Sequence, residues 1–406
     1  MNPKTLTTHS RFPKNPGGFA QRPVWRKTVL SCAAALAMLG AASAQADVTV
    51  GVILSLTGPA ASLGKPADNT VKLWPEKIGG EKARVIVVND NSDPTEAAKQ
   101  AAKLVTEEKV DVLVGSSITP PSIAIMEVAG RNGTPLVSLG GGNAIIEPQE
   151  GPRTWAFKIP APEALSVQRT IQDMKARKIK TVGVIAVTTG YGEGFLNAFQ
   201  KQAQAEGISI AATARIGAQD ISATTQALQI ISAKPDAVYI FSFGTPGATP
   251  QLELVKRGYK GLIYQTHGVA NADYLRLGGK ELDGTLLAVA PVLVTEQLPD
   301  DNPTKKPGME YVSKYEGKYG PGTRSLFGST AWTAYNMLDA TVPVALQKAK
   351  PGTAEFRQAL RDALEGMKEV VSPEGVFNMS AQNHNGLDAR GQVMVKIEGG
   401  KWKLEQ

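Results

Sequence analysis

The chain has 406 residues, 42% hydrophobic and 20% charged, which exceeds what one hydrophobic core usually serves and is too apolar for extended disorder. Two domains are therefore expected. The formal charge of +7 gathers in residues 1–46, where Lys4, Arg11, Lys14, Arg22, Arg26 and Lys27 meet no acid; beyond them 38 cations face 37 anions, leaving no basic surface for nucleic acid.

Those first 46 residues read as an export signal. Arg26-Lys27 precedes an apolar run over 28–39, and small residues end at Ala44-Gln45-Ala46, an Ala-x-Ala cleavage pattern. The run falls well short of the roughly 20 residues that span a bilayer. Cleavage after Ala46 and a periplasmic location are expected. The single cysteine, Cys32, lies inside this segment, so the exported chain has neither disulfide nor thiol chemistry.

Short apolar runs then alternate with longer helical patterns. Strands are expected at 48–54, 85–88, 110–114 and 136–138. Helices are expected at 67–78 (broken near Pro75), 95–108 (opened by Asp93-Pro94) and 121–131. The rhythm restarts with helices at 163–177, 192–206, 222–233 and 250–257, and strands at 181–187, 208–215, 237–241, 261–264 and 285–290. This predicts an α/β fold of two doubly wound lobes with parallel sheets. Three further helices, at 303–319, 328–347 and 353–365, must cover sheet already built, so the chain crosses between lobes more than once. The expected bodies are 47–160 plus 291–372, and 161–290 plus 373–406.

Catalysis finds little support. Only His267 and His384 remain after the signal, with no Gly-x-Ser-x-Gly elbow and no His-Glu-x-x-His spacing. No enzyme, metal or cofactor is expected. Gly190-Tyr191-Gly192-Glu193-Gly194 has its third glycine one residue early for a dinucleotide loop, and opening a helix is its better account.

In open parallel sheets, ligands gather beyond the carboxyl ends of the strands. Three such loops carry useful chemistry. Residues 115–122 (GSSITPPS) offer hydroxyls and amides at a helix start, suited to a carboxylate or simply to capping. Gly140-Gly141-Gly142 lets bare backbone approach a ligand, or forms an ordinary turn. Gln265-Thr266-His267-Gly268 sets an imidazole at a third strand end.

Together VGVILSLTGPAASLG (50–64), NDNSDPTEAAKQAAKLV (89–105), DVLVGSSITPPS (111–122), TPLVSLGGGN (134–143) and GYGEGF (190–195) resemble the leucine/isoleucine/valine-binding family, the type I periplasmic solute-binding proteins of ABC importers. The resemblance implies two Rossmann-like lobes joined by three crossover strands, near 157–162, 290–294 and 370–377, with ligand held between them. It further implies that Ser117 and Thr119 hold a ligand carboxylate, that Gly140, Gly141 and Gly142 add backbone contacts, and that Tyr191, Phe243 and Leu63 line the pocket. Amino-acid binders of the family carry a Glu where this chain has His267, and that Glu pairs with the α-ammonium. An imidazole supplies no negative charge but donates to an oxygen. The QTHGVA segment (265–270) resembles a subgroup that binds aromatic carboxylates, including 2-oxo acids. The reading is thus a monomeric binding protein that passes a small aromatic or 2-oxo carboxylate to an importer permease. A branched-chain amino acid binder, with Glu193 or another acid on the ammonium, is the alternative, and a sensing subunit of a signalling receptor is a further one.

Overall fold

The computed structural model describes residues 47–405, so the expected export signal lies outside the described residues. Strands β1 (Val48–Leu54), β2 (Lys77–Ile78), β3 (Glu81–Asn89), β4 (Val112–Gly115), β5 (Leu136–Ser138) and β6 (Ala156–Lys158) form one sheet in the order β2-β3-β1-β4-β5-β6. All its pairings are parallel except that of the short edge strand β2. Helices α1 (Ala61–Val71), α2 (Pro94–Thr106) and α3 (Thr119–Arg131) connect these strands. β1 is apolar along nearly its whole length and almost entirely buried, as a strand covered on both faces requires. In α2, Asp93 accepts the Glu96 N–H at 2.8 Å and Pro94 takes the first turn, while Ala97, Ala101 and Leu104 repeat on the buried face.

The second sheet follows α4 (Glu163–Ala176). It comprises β7 (Thr181–Val187), β8 (Ser209–Ile216), β9 (Ala237–Phe241), β10 (Leu262–Gln265) and β11 (Leu286–Val289), linked by α5 (Gly190–Ala205), α6 (Thr224–Ser232), α7 (Ala248–Lys256) and α8 (Ala272–Gly278). Its parallel part runs β8-β7-β9-β10-β11. The first sheet, beyond β2, runs β3-β1-β4-β5-β6, the same order by rank. Each sheet therefore reverses direction once, between β1 and β4 or between β7 and β9.

After β11 the chain returns to the first lobe through α9 (Lys305–Tyr319), α10 (Leu326–Leu346) and α11 (Ala354–Glu365). Tyr311 meets Thr70 at 3.1 Å, the Gly79 N–H donates to Asp339 at 2.7 Å, and the Gly352 N–H donates to Asp111 at 2.6 Å. The last strands, β14 (Val393–Glu398) and β15 (Lys401–Leu404), add antiparallel to β11 in the second sheet.

Two expectations need correction. The first helix spans Ala61–Val71 rather than 67–78: Leu63, Ala67 and Val71 repeat every four residues on its buried side, so the apolar face begins before Pro66, and residues 77–78 are β2. The third crossing is also displaced. Residues 370–377 fold as an antiparallel hairpin of β12 (Val370–Ser372) and β13 (Gly375–Phe377), and the chain joins the second sheet only at Val393.

Candidate ligand-binding site

The two direction reversals face each other, and the loops leaving them wall a cavity with about 370 Å³ of empty space. Leu63 comes from the segment after β1, Ser117, Ile118 and Thr119 from the β4–α3 junction, and Leu139 and Gly141 from the loop after β5. The second lobe supplies Tyr191 after β7, Phe243 after β9, and His267 and Gly268 after β10. The wall is completed by Pro160 from the first crossing and by Leu326, Phe327 and Thr330 at the start of α10.

Gly141 is one place where the lobes come close. A Cβ there would lie 2.8 Å from the Tyr191 ring and 3.2 Å from His267 Nε2, so only glycine lets the second lobe's rings come this near. Tyr191 stands edge-on to both Phe243 and His267, with centroids 6.2 and 5.8 Å apart, and its hydroxyl donates to Thr266 at 3.0 Å. The result is an apolar, aromatic chamber with polar groups concentrated on few side chains.

Those groups have a definite polarity. Ser117 Oγ accepts the Ser55 N–H at 3.2 Å, and Thr119 Oγ1 accepts the Gly142 N–H at 3.0 Å. Neither hydroxyl donates to an acceptor elsewhere among the described residues, so both protons are left for the cavity. Prolines 120 and 121 have no N–H, which leaves hydroxyls rather than a row of helix amides to do the donating. Beneath this loop, Ser116 donates to the buried carboxylate of Asp90, and its own N–H is held by Ser122 Oγ at 3.0 Å. His267 is 4% exposed, and neither ring nitrogen has a partner among the described residues. Burial, aided by the nearby positive charge of Lys158, drives its pKa down to about 3, so the ring is neutral, with one nitrogen a donor and the other an acceptor.

Among the described residues no Asp or Glu lines the cavity. Glu193 is turned to Arg215, which it binds through both oxygens at 2.7 and 3.0 Å. Glu374 lies behind Thr330, and burial pushes its pKa up to about 8, so at neutral pH it is an uncharged carboxylic acid. Lys158 is fully buried behind the wall residues Gly141 and Pro160, whose carbonyls it binds. Among the described residues no group of three or more His, Cys, Asp and Glu side chains is arranged for a metal ion.

Residues 47–401 match the family described as periplasmic binding protein. The chain belongs to that family. A Leu/Ile/Val-binding protein homolog of Brucella melitensis is 28% identical over 364 residues that cover 87% of this chain and 92% of the relative. An extracellular ligand-binding receptor from Rhodopseudomonas palustris is 40% identical, with a TM-score of 0.86, covering 89% of this chain and 99% of that one. A solute-binding protein of an R. palustris ABC transporter, solved in complex with benzoate, shares the fold with a TM-score of 0.74 at 22% identity, covering 88% of this chain and 95% of that one. The type I architecture, two lobes of parallel sheet around a cleft, is shared with a Thermotoga maritima leucine-binding protein.

Of the residues expected at the site, the cavity wall of this periplasmic binding protein includes Leu63, Ser117, Thr119, Gly141, Tyr191, Phe243 and His267. Gly140 and Gly142 are not on its wall. A Cβ at Gly140 would meet Ser122, and Gly142 faces Thr119, so both shape the loop from behind. Sequence reasoning missed Leu326, Phe327 and Thr330, which come from a helix some 190 residues beyond the loops they face. It also missed Lys158, whose signal was visible as a lone cation in the apolar run Ala156-Phe157-Lys158-Ile159-Pro160.

Proposed function

We propose that this periplasmic binding protein captures a small organic carboxylate, aromatic or 2-oxo, and delivers it to the permease of an ABC importer. One observation carries the reading: the cavity wall offers two hydroxyl protons and a neutral imidazole, and no carboxylate. A bound carboxylate receives hydrogen bonds from Ser117 and Thr119, and His267 donates to a further oxygen such as a 2-keto group. Tyr191, Phe243, Phe327 and Leu63 enclose the apolar body. An α-ammonium in the same place would be buried without a counter-charge, which costs several kcal/mol. The benzoate carried by the structural relative is in keeping with this ligand class. In this reading the protein is a monomer, exported by cleavage after Ala46, that binds without turnover. Its moving bodies are 47–160 with 291–377, which keeps the β12–β13 hairpin whole, against 161–290 with 393–406.

The names of the Leu/Ile/Val-binding relatives favour a second reading, a branched-chain amino acid. Against it, Glu193 is already neutralised by Arg215, and Glu374 is uncharged behind Thr330. A thermal-shift screen with benzoate, phenylglyoxylate, leucine, isoleucine and valine decides between them, because a true ligand raises the melting temperature by mass action. A rise with the aromatic acids and none with the amino acids is expected. Tight leucine binding without aromatic acid binding would reverse the choice.

A further inference from the structure

Lys158 closes strand β6, at the first crossing between lobes, and its side chain has no solvent exposure. Its ammonium donates to three carbonyls: Gly141 at 2.9 Å, Pro160 at 2.7 Å and Ala161 at 3.3 Å. No acidic oxygen lies within 4 Å of it among the described residues, although buried ammonium groups are ordinarily paired. The acids that act on it from a distance are Glu163, at the start of α4, and Glu147. Glu163 accepts the Asn143 N–H at 2.9 Å, its other oxygen is unpartnered, and burial pushes its pKa up. From the second lobe the uncharged His267 ring lies within reach of the Lys158 charge, which adds to the lowering of its pKa.

Two of the three carbonyls belong to residues of the cavity wall, Gly141 and Pro160. The Gly141 carbonyl also has a continuation. The N–H of the same peptide group is that of Gly142, and it donates to Thr119 Oγ1 at 3.0 Å. A chain of aligned dipoles therefore runs from the ammonium through one peptide group to the hydroxyl whose proton enters the cavity. Hydrogen bonds in series polarise one another, so the cation makes Thr119 a stronger donor than an isolated threonine.

Taking the carboxylate reading as its basis, we propose that Lys158 is the counter-charge of the bound ligand, a positioning residue that acts through the Gly141–Gly142 peptide and Thr119 without touching the ligand. It makes the site selective for anions over neutral analogues of the same shape. Burial has already brought the Lys158 pKa down to about 8, and an anion in the cavity raises it, so binding near that pH takes up a proton.

The test uses the full exported chain and isothermal titration calorimetry with phenylglyoxylate, benzoate and the neutral benzamide. In Lys158→Met the affinity for the two acids should fall about tenfold to a hundredfold, the lower end of what loss of one member of a buried charge pair brings, while benzamide binding stays unchanged. The wild-type protein supplies an independent reading should that variant not fold. Titrations at pH 8.5 in buffers of different ionisation enthalpy should show a fraction of a proton taken up per acid bound, with none at pH 6.5. Uptake should persist in Glu374→Gln and in Glu163→Gln, which removes the other groups able to titrate there. Uptake that vanishes in either glutamine variant, or wild-type affinity that is flat from pH 7 to 9.5 without uptake, overturns the role of Lys158. Equal loss for benzamide and the acids in Lys158→Met also overturns it, because that is the pattern of structural damage. If neither acid binds the wild-type protein, the carboxylate reading itself falls, and this inference with it.

Discussion

His267 sits in the closed chamber with no hydrogen-bond partner on either nitrogen, an arrangement that costs stability unless a ligand repays it. Because its pKa is about 3 in the folded chain against 6.5 for a free side chain, the folded state binds fewer protons between those values. Stability from this group is complete above about pH 6.5 and is lost as the pH falls toward 3. Chemical denaturation of the ligand-free protein from pH 7 to 4 should show a shallower decline in His267→Gln than in wild type. His267→Glu is the sharper functional test. A carboxylate on the cavity wall repels the ligand's own, and phenylglyoxylate binding should disappear by calorimetry. Retained affinity would mean that the imidazole does not face the ligand.

Among the elements, α2 shows how local sequence can be sufficient. Asp93, Pro94 and the Ala97–Ala101–Leu104 repeat specify its start and its buried face without help from the rest of the chain. Asp93→Ala should lower unfolding free energy by about 1 kcal/mol, measured in urea, and leave ligand affinity unchanged, because this helix contributes nothing to the cavity. The loops after β4, β5, β7 and β10 were legible for a similar reason: a strand end followed by glycines, hydroxyls or a histidine is a local pattern. What the sequence hid was long-range. That α10 would bring Phe327 and Thr330 to the cavity follows from the packing of α10 on α1, which no periodicity encodes. The start of α1 was obscured because Pro66 looks like a boundary, yet it sits inside a helix whose apolar repeat begins at Leu63. The matching strand order of the two sheets was equally invisible, since it lies in the path of the chain and not in repeated residues.

Across the whole molecule, the first and last of the passages between lobes are tied to each other. Asn385, in the last passage, donates to the Lys158 and Pro160 carbonyls in the first, at 2.8 and 2.9 Å, and the Lys158 N–H donates to the His384 carbonyl at 2.9 Å. In the proposed reading, motion about this cluster opens and closes the cleft, and a ligand favours the closed arrangement because only there do both lobes contribute contacts. Gly141→Ala tests the closed contact directly. Its methyl group would strike the Tyr191 ring, so acid affinity should fall at least about tenfold by calorimetry, with the melting temperature of the ligand-free protein nearly unchanged. Full affinity in that variant would show that the approach of Gly141 to Tyr191 is dispensable.

The contact between Gly141 and Tyr191 also limits the cargo. Because Gly141 and the Tyr191 ring approach so closely, an acid whose far edge reaches between them acts as a wedge: its headgroup docks, but its edge props Tyr191 away from Gly141. Such a compound would occupy the carrier without completing it, and would jam uptake instead of being transported.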